Sequence, residues 1–309
     1  MKLSIVATLY RSAPYIREFH ERASATAKTV VGEDYEIVLV NDGSPDNSLD
    51  LAVELTNTDE HVVVIDLSRN FGHHQAMMSG LEHARGDLVF LIDTDLEEDP
   101  EWLLEFSEAM DAQKADVIYG RQGQRKGGWF ERWSGNVYYS IFNWLCDIEH
   151  PRNIVTARLM TARYVQALLL YRERQLVLSC LWVITGFKQC EKIVQKGSHS
   201  QTTYSLSKKI DHAVNAVTSF SERPLRFIFY VGMSFLLVAI LYACYLTFLR
   251  LFWDRTIDGW TSVMVSIWAL AGLMISFIGI IGIYLAKIFI ETKQRPLTII
   301  RSIYSQKGT

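Results

Sequence analysis

Two uncharged apolar runs near the C-terminus constrain this chain more than any other feature. Phe227 to Leu249 spans about 23 residues without a charge, and Trp260 to Ala286 about 27. Roughly 20 such residues cross a hydrocarbon core as helix, and core helices of soluble domains seldom run this long without one charge. A hairpin of two membrane helices is expected over residues 227–290. Gly272, Gly279 and Gly282 would let the two helices pack closely. The link from Arg250 to Gly259 holds two Arg and two Asp. Lys208, Lys209, Arg223 and Arg226 precede the first run, and Lys287, Lys293, Arg295 and Arg301 follow the second. Counting Lys and Arg alone, both flanks belong in the cytoplasm and the link outside. The expected setting is the inner (plasma) membrane, crossed twice, with the large N-terminal part cytoplasmic. Tyr204 to Phe220 has the apolar spacing of an amphipathic helix on the headgroups; a surface helix packed on the domain is the alternative. The division read from the sequence is a cytoplasmic domain over 1–203, a juxtamembrane segment over 204–226, the hairpin over 227–290 and a cytoplasmic tail over 291–309.

Composition excludes several classes. The chain has 309 residues, with 31 Lys plus Arg against 34 Asp plus Glu, a formal charge of -3. Without a basic footprint, nucleic acid is not an expected partner. Cysteines at 146, 180, 190 and 244 lack the spacing of a zinc knuckle or a redox pair, so neither a disulfide framework nor structural zinc is expected. The apolar stretch at Leu3 to Val6 is too short for a signal sequence.

The first 120 residues alternate short apolar runs with helical patterns. Strands are expected at 3–9, 36–41, 62–65, 88–92 and 115–120. Helices are expected at 14–31, 46–56, 72–85 and 100–113. Continuous apolar strands between helices indicate an α/β fold with a mostly parallel sheet covered on both faces. Such sheets bind ligands at the carboxyl ends of their strands. Polar residues gather at those ends: Asn41-Asp42-Gly43-Ser44 after the second strand and Asp93-Thr94-Asp95 after the fourth.

Alternation puts the carboxylates of Asp93 and Asp95 toward one side of the strand end. Two hard oxygen ligands so spaced suit Mg²⁺ or Mn²⁺, with a diphosphate filling other positions. Two acids in a loop are common, but here they directly follow a buried strand. Asn41-Asp42-Gly43-Ser44 reads either as a plain turn or as a loop whose Asp42 accepts a hydrogen bond from a nucleobase.

These pieces resemble a known family. Val40-Asn41-Asp42-Gly43-Ser44 is followed by Ser68-Arg69-Asn70-Phe71-Gly72-His73-His74-Gln75-Ala76, then Ala84-Arg85-Gly86-Asp87, Ile92-Asp93-Thr94-Asp95-Leu96, Asp99-Pro100 and Arg158-Leu159-Met160. Pro224-Leu225-Arg226, the two apolar runs and Glu291-Thr292-Lys293-Gln294-Arg295-Pro296 complete the series. In this order they resemble family 2 glycosyltransferases with the Rossmann-like GT-A fold. More narrowly, they resemble the membrane-anchored polyprenyl-phosphate hexosyltransferases, relatives of dolichol-phosphate mannose synthase and the bactoprenol glucosyltransferases.

The resemblance implies an inverting transfer of a sugar from a nucleotide sugar, a UDP-hexose, to undecaprenyl phosphate, for a cell-surface glycan such as O-antigen. Thr8, Leu9, Asp42, Ser44, Asn70, Gly72, Asp93 and Thr94 would hold the donor. Asp93 and Asp95 would hold Mg²⁺ or Mn²⁺, with Glu97 standing where many relatives have Gln. Arg121 and Arg158 would hold phosphates of donor or acceptor; a solvated surface charge is the alternative for each. Thr202 and Tyr204 match hydroxyls on the acceptor side. The resemblance leaves a homo-oligomer open.

The departures are at two places. Ala7 to Arg11 differs from the usual Pro-x-Tyr-Asn-Glu. Val155-Thr156-Ala157 replaces Gly-Asp-Phe, so an acid sometimes treated as a catalytic base is absent. A lipid phosphate is already ionised near neutral pH and needs no such base. His73 and His74 read either as functional groups or as a polar helix start. The aromatic stretch from Trp129 to Trp144 reads either as an interfacial helix or as core. Arg223 and Arg226 could meet a lipid phosphate or anchor by snorkelling. The rival readings are a polysaccharide synthase and a non-catalytic membrane scaffold with a degenerate transferase domain.

Overall fold

The computed structural model describes residues 2–123, 153–174, 176–197, 221–253 and 259–306. They fall into two units, one of residues 2–197 with 295–306, the other of residues 221–294.

The first unit is built on an eight-stranded sheet. In chain order its elements are β1 (Leu3–Leu9), α1 (Ile16–Val31), β2 (Tyr35–Asn41), α2 (Ser48–Thr58), β3 (Val62–Leu67), α3 (His73–His83), β4 (Leu88–Asp93) and α4 (Trp102–Gln113). There follow β5 (Val117–Gln122), β6 (Ile154–Thr161), α5 (Ala162–Leu168), α6 (Leu178–Ile184), β7 (Gln189–Val194) and β8 (Ile300–Ser305). The strand order is β7-β5-β6-β4-β1-β2-β3-β8. β4, β1, β2 and β3 run parallel, and β6 and β8 join them antiparallel on either side. β5 pairs with β6 antiparallel and with β7 parallel. The sheet is therefore mixed around a parallel centre, the α/β class expected.

Burial explains why these runs are strands. Every residue of β1 and of β2 is buried, so both faces of the central sheet are covered. Ile16, Phe19 and Ala23 of α1 and Leu103 and Phe106 of α4 pack with Ile5, Ile37 and Phe90 in one core. α3 packs on β1 and β2. β2 continues outward from β1 on one side and β4 on the other, so the chain changes direction beside β1. In sheets of this kind ligands bind at the carboxyl ends of the strands beside the switch point, here those of β1 and β4.

The segment 291–309, expected as a tail, is corrected in its described part. Ile300–Ser305 is β8, the edge strand paired antiparallel with β3. β3 would otherwise expose its backbone edge, and β8 satisfies it.

The second unit holds α7 (Arg223–Trp253) and α8 (Trp260–Thr292). Arg223–Tyr242 and Ser266–Thr292 are long and apolar enough to cross a membrane, and neither window is buried. Tyr230, Leu237, Trp268 and Ile275 are exposed. The close packing expected at Gly272, Gly279 and Gly282 is not found: among the described residues, a Cβ at each would meet nothing within 4 Å. The aromatic stretch 129–144, the segment 204–220 and the link at 254–258 lie outside the described residues.

Candidate active site

Strand register assembles the site. Thr8 of β1 lies beside Asp93 of β4, Leu9 beside Asn41 of β2, and Asn41 beside Asp66 of β3. Residues from separate stretches of sequence thus meet at one row of strand ends.

The Asn41–Ser44 loop is held by its own side chains. The Asn41 amide donates to Asp66 Oδ1 at 2.8 Å, and Asn41 Oδ1 accepts from Ser44 N at 3.2 Å. Asp42 is buried and accepts from Phe71 N at 2.7 Å through Oδ1 and from Gly72 N at 3.0 Å through Oδ2. Burial raises its pKa, and these two amides oppose that rise. Asp42 therefore ties the 69–72 loop to β2, a role its turn-like sequence did not announce. A carboxylate retains further acceptor sites, so the base-reading role is compatible with this arrangement. Gly43 takes φ +59°, and a Cβ there would lie 2.5 Å from Asn70 N. Only glycine fits between the two loops.

Ser44 Oγ accepts from Arg11 N at 2.7 Å, joining the β1–α1 loop to the same cluster. Asn70 is exposed and Gly72 half-buried beside them. Leu9 departs from the expectation: its side chain is fully buried in the core, and only its carbonyl reaches the loop, accepting from Asp42 N at 3.1 Å.

Asp93-Thr94-Asp95 closes β4. Thr94 is buried, and its hydroxyl lies 2.8 Å from the Thr8 carbonyl oxygen and 2.9 Å from Ser12 Oγ. Thr94 thus pins the turn to β1 rather than presenting its hydroxyl outward. Asp95 Oδ1 accepts from Glu97 N at 3.0 Å, across Leu96 at φ +56°. Asp93 Oδ1 is buried without a hydrogen bond among the described residues; His73 Nε2 stands 3.3 Å away. His73 Nδ1 is 3.2 Å from Thr8 Oγ1, so this half-exposed ring bridges the ends of β1 and β4. His74 turns away, its Nδ1 3.1 Å from the Leu176 carbonyl.

Negative charge accumulates here. Asp95 has a raised pKa because it is buried, and the Asp93 charge adds to that. Glu98, which the sequence did not single out, is fully buried and accepts from Thr156 N at 3.0 Å and Ala157 N at 2.7 Å. Burial holds its carboxyl well above the usual carboxylate range, and the Asp93 charge pushes it the same way. Lys196 faces this group, 3.1 Å from Glu97 Oε2 and 3.6 Å from Glu98 Oε1. Burial opposes the Lys196 charge, yet Glu98 and Glu97 keep its pKa raised. Gly197 N donates to the Glu97 carbonyl at 2.8 Å. Among the described residues no cluster of three metal-ligating side chains is preformed. The donor set nevertheless fits a hard cation: an orphaned buried carboxylate oxygen, a second carboxylate two residues on, and excess negative charge.

The two arginines part company. Arg121 on β5 pairs with Glu191 of β7 at 2.9 Å. Arg158 on β6 is fully buried, with its guanidinium 3.0 Å from the Trp182 ring centre, so it is not a solvated surface charge. Burial lowers its pKa to about 9, which leaves it a cation at neutral pH. The described structure turns Arg158 toward Trp182 rather than toward solvent. Thr202 and Tyr204 lie outside the described residues.

Comparison with known proteins identifies the family. Residues 4–173 match glycosyl transferase family 2. The chain belongs to that family. A glycosyltransferase-family protein of Mycobacterium tuberculosis is 50% identical over 309 residues, covering 100% of this chain and 90% of that protein. A prophage bactoprenol glucosyl transferase homolog of Escherichia coli is 29% identical, covering 98% of this chain and 99% of its own length. Among solved structures, a Mycobacterium tuberculosis glucosyl-3-phosphoglycerate synthase with Mn²⁺ and UDP aligns with a TM-score of 0.47. Its identity is 14%, covering 70% of this chain and 77% of that one. The family 2 glycosyltransferase described here carries a mixed α/β sheet and two apolar C-terminal helices.

Proposed function

We propose that this glycosyltransferase moves a hexose from a nucleoside diphosphate sugar, a UDP-hexose, to the phosphate of a polyprenyl lipid such as undecaprenyl phosphate. One observation carries the donor half: the Asp93–Asp95 turn at the switch point, with an orphaned buried oxygen on Asp93 beside Thr8 at the end of β1. The two apolar helices, and a relative named for bactoprenol glucosyl transfer, support the lipid acceptor.

The chain's own residues would act mainly by positioning and by charge. The Asn41–Ser44 and 69–72 loops, joined through Asp42, bound the nucleoside end; Thr8, Asn70 and Gly72 border it. Thr94 holds the acidic turn in place. Mg²⁺ or Mn²⁺ held by Asp93 and Asp95, with Glu97 beside them, would neutralise charge on the departing diphosphate. An ionised acceptor phosphate attacks the anomeric carbon and the C–O bond to the diphosphate breaks, inverting the centre. No protein base is required for this step, consistent with Thr156 where an acid stands in relatives. Arg121, with Thr202 and Tyr204, is proposed for the phosphate-bearing acceptor; Arg158 would reach that phosphate only by leaving the Trp182 ring.

The helices are proposed to cross the inner membrane, with the first unit on the cytoplasmic side. A cysteine replacing Thr256, with native cysteines removed, should then react with an impermeant thiol reagent in intact cells; labelling only after permeabilisation would overturn the orientation. The activity is tested by incubating membranes with UDP-, GDP- and dTDP-sugars plus undecaprenyl phosphate and weighing the lipid products by mass spectrometry. A polyprenyl-phosphate hexose formed from a UDP-sugar is expected; no lipid product from any donor would reject the reading.

A further inference from the structure

We propose that Arg301, on the strand that follows the second apolar helix, is a positioning residue for the donor loops. The inference rests on the donor reading given above. Arg301 lies at the far end of the chain from those loops, yet β8 brings it to the same row of strand ends.

The contacts form a continuous series. Asp66, at the end of β3, is 1% exposed. Its Oδ1 accepts from the Asn41 amide at 2.8 Å. Its Oδ2 is buried without a hydrogen bond among the described residues, and its charge partner is Arg301 Nη1 at 3.4 Å. Asn41 in turn accepts from Ser44 N at 3.2 Å. Arg301 therefore balances the buried carboxylate that orients Asn41, and Asn41 shapes the loop carrying Asp42 and Gly43.

A second arm runs to the neighbouring loop. Arg301 Nη2 donates to the Ser68 carbonyl at 2.6 Å, and Ser68 N donates to the Ile299 carbonyl at 2.8 Å. Further along that loop, Phe71 N and Gly72 N donate to Asp42. One guanidinium thus supports both loops that Asp42 joins, in the two-pronged manner a planar fork allows and a point charge does not. A buried carboxylate that loses its cation is poorly tolerated, so its surroundings must rearrange. Here those surroundings are the donor loops.

The consequence concerns how the enzyme is assembled. The strand that completes the donor support is reached only after the chain has passed through both apolar helices. Donor-loop order therefore depends on the segment downstream of the membrane hairpin.

The test uses the full chain in detergent, with Arg301→Met, Arg301→Lys, Asp66→Asn and the Arg301→Met/Asp66→Asn double variant. Amide exchange is followed without nucleotide at Ser44, Phe71 and Gly72, with Ile92 of β4 as internal reference. Arg301→Met should speed exchange at the three loop amides about tenfold, the loss of one charge-assisted hydrogen bond, and leave Ile92 unchanged. Arg301→Lys should recover part of the protection. In the Asp66→Asn background, Arg301→Met should add less than in the parent, because the charge it balances is gone and only its bond to the Ser68 carbonyl is lost. Unchanged loop exchange, or equal acceleration at Ile92, would overturn the inference, the latter marking general destabilisation. UDP with Mn²⁺, measured by calorimetry, adds a second readout: Arg301→Met should weaken UDP about tenfold. If the parent chain takes up no UDP while the exchange pattern holds, the UDP reading fails and the positioning role stands.

Discussion

Gly43→Ala is the most discriminating single change in the proposed donor loops. Two costs can be separated. An L-residue in the left-handed region, here φ +59°, costs roughly 1–2 kcal/mol. The added methyl also meets Asn70 N at 2.5 Å and Arg69 C at 2.6 Å, whereas ordinary van der Waals contact begins at 3.4 Å. The shortfall of about 0.9 Å is against backbone, so one loop must move as a body. That movement would stretch the Asp42 bonds to Phe71 and Gly72. Overpacking of this kind costs a further 1–3 kcal/mol or so, giving about 2–5 kcal/mol in all. A displacement near 1 Å at a donor loop can lower transfer about 10²-fold. Gly32→Ala is the control. Gly32, at φ +68° and ψ -138°, has nothing within 4 Å of an added methyl, so its variant should lose stability through backbone conformation alone and keep full transfer. The assays are thermal unfolding and transfer to undecaprenyl phosphate. Gly43→Ala with parent-like transfer, or Gly32→Ala with transfer lowered as much as Gly43→Ala, would refute the close-approach argument.

Three further outcomes are expected. Asp95→Asn should keep the fold and lower transfer at least ~10²-fold, because it removes a charged ligand at constant size; parent-like transfer with unchanged metal dependence would reject the metal assignment. Glu98 retains its proton in the metal-free native state at pH values where the unfolded chain has released it. Its contribution to stability is thus full below the ordinary carboxyl pKa of 4.5 and is lost as pH rises through the raised native value. Glu98→Gln should flatten that fall between about pH 5 and about pH 9 in thermal unfolding, while lowering absolute stability by roughly 1–3 kcal/mol because one of two amides loses its acceptor. A truncation after Ser221 deletes β8 with the hairpin and should weaken UDP binding. Excision of 204–294 with a flexible linker should keep UDP binding by calorimetry and lose transfer to lipid; equal UDP binding by both forms would deny β8 its part in the donor site.

The sequence by itself determined the α/β class, the two apolar helices and the place of the acidic turn. Those are local properties: apolar runs of strand length between helical patterns, uncharged runs of membrane length, and Asp93-Thr94-Asp95 directly after a buried strand. Only the tertiary structure decided what each polar side chain faces. Leu9 lies beside the site in sequence but points into the core, while Thr94 spends its hydroxyl on β1. Arg158 is a cation in the sequence, and strand pairing buries it against Trp182. Glu98 stands in a run of acids with no local mark; its isolation from water arises because β6 delivers the Thr156 and Ala157 amides to it. Lys196 and Arg301 reach the acidic turn and the donor loops only because β7 pairs with β5 and β8 with β3. Such pairings join residues far apart in the chain. Periodicity within a segment reports which face of that segment is buried, not which distant segment covers it.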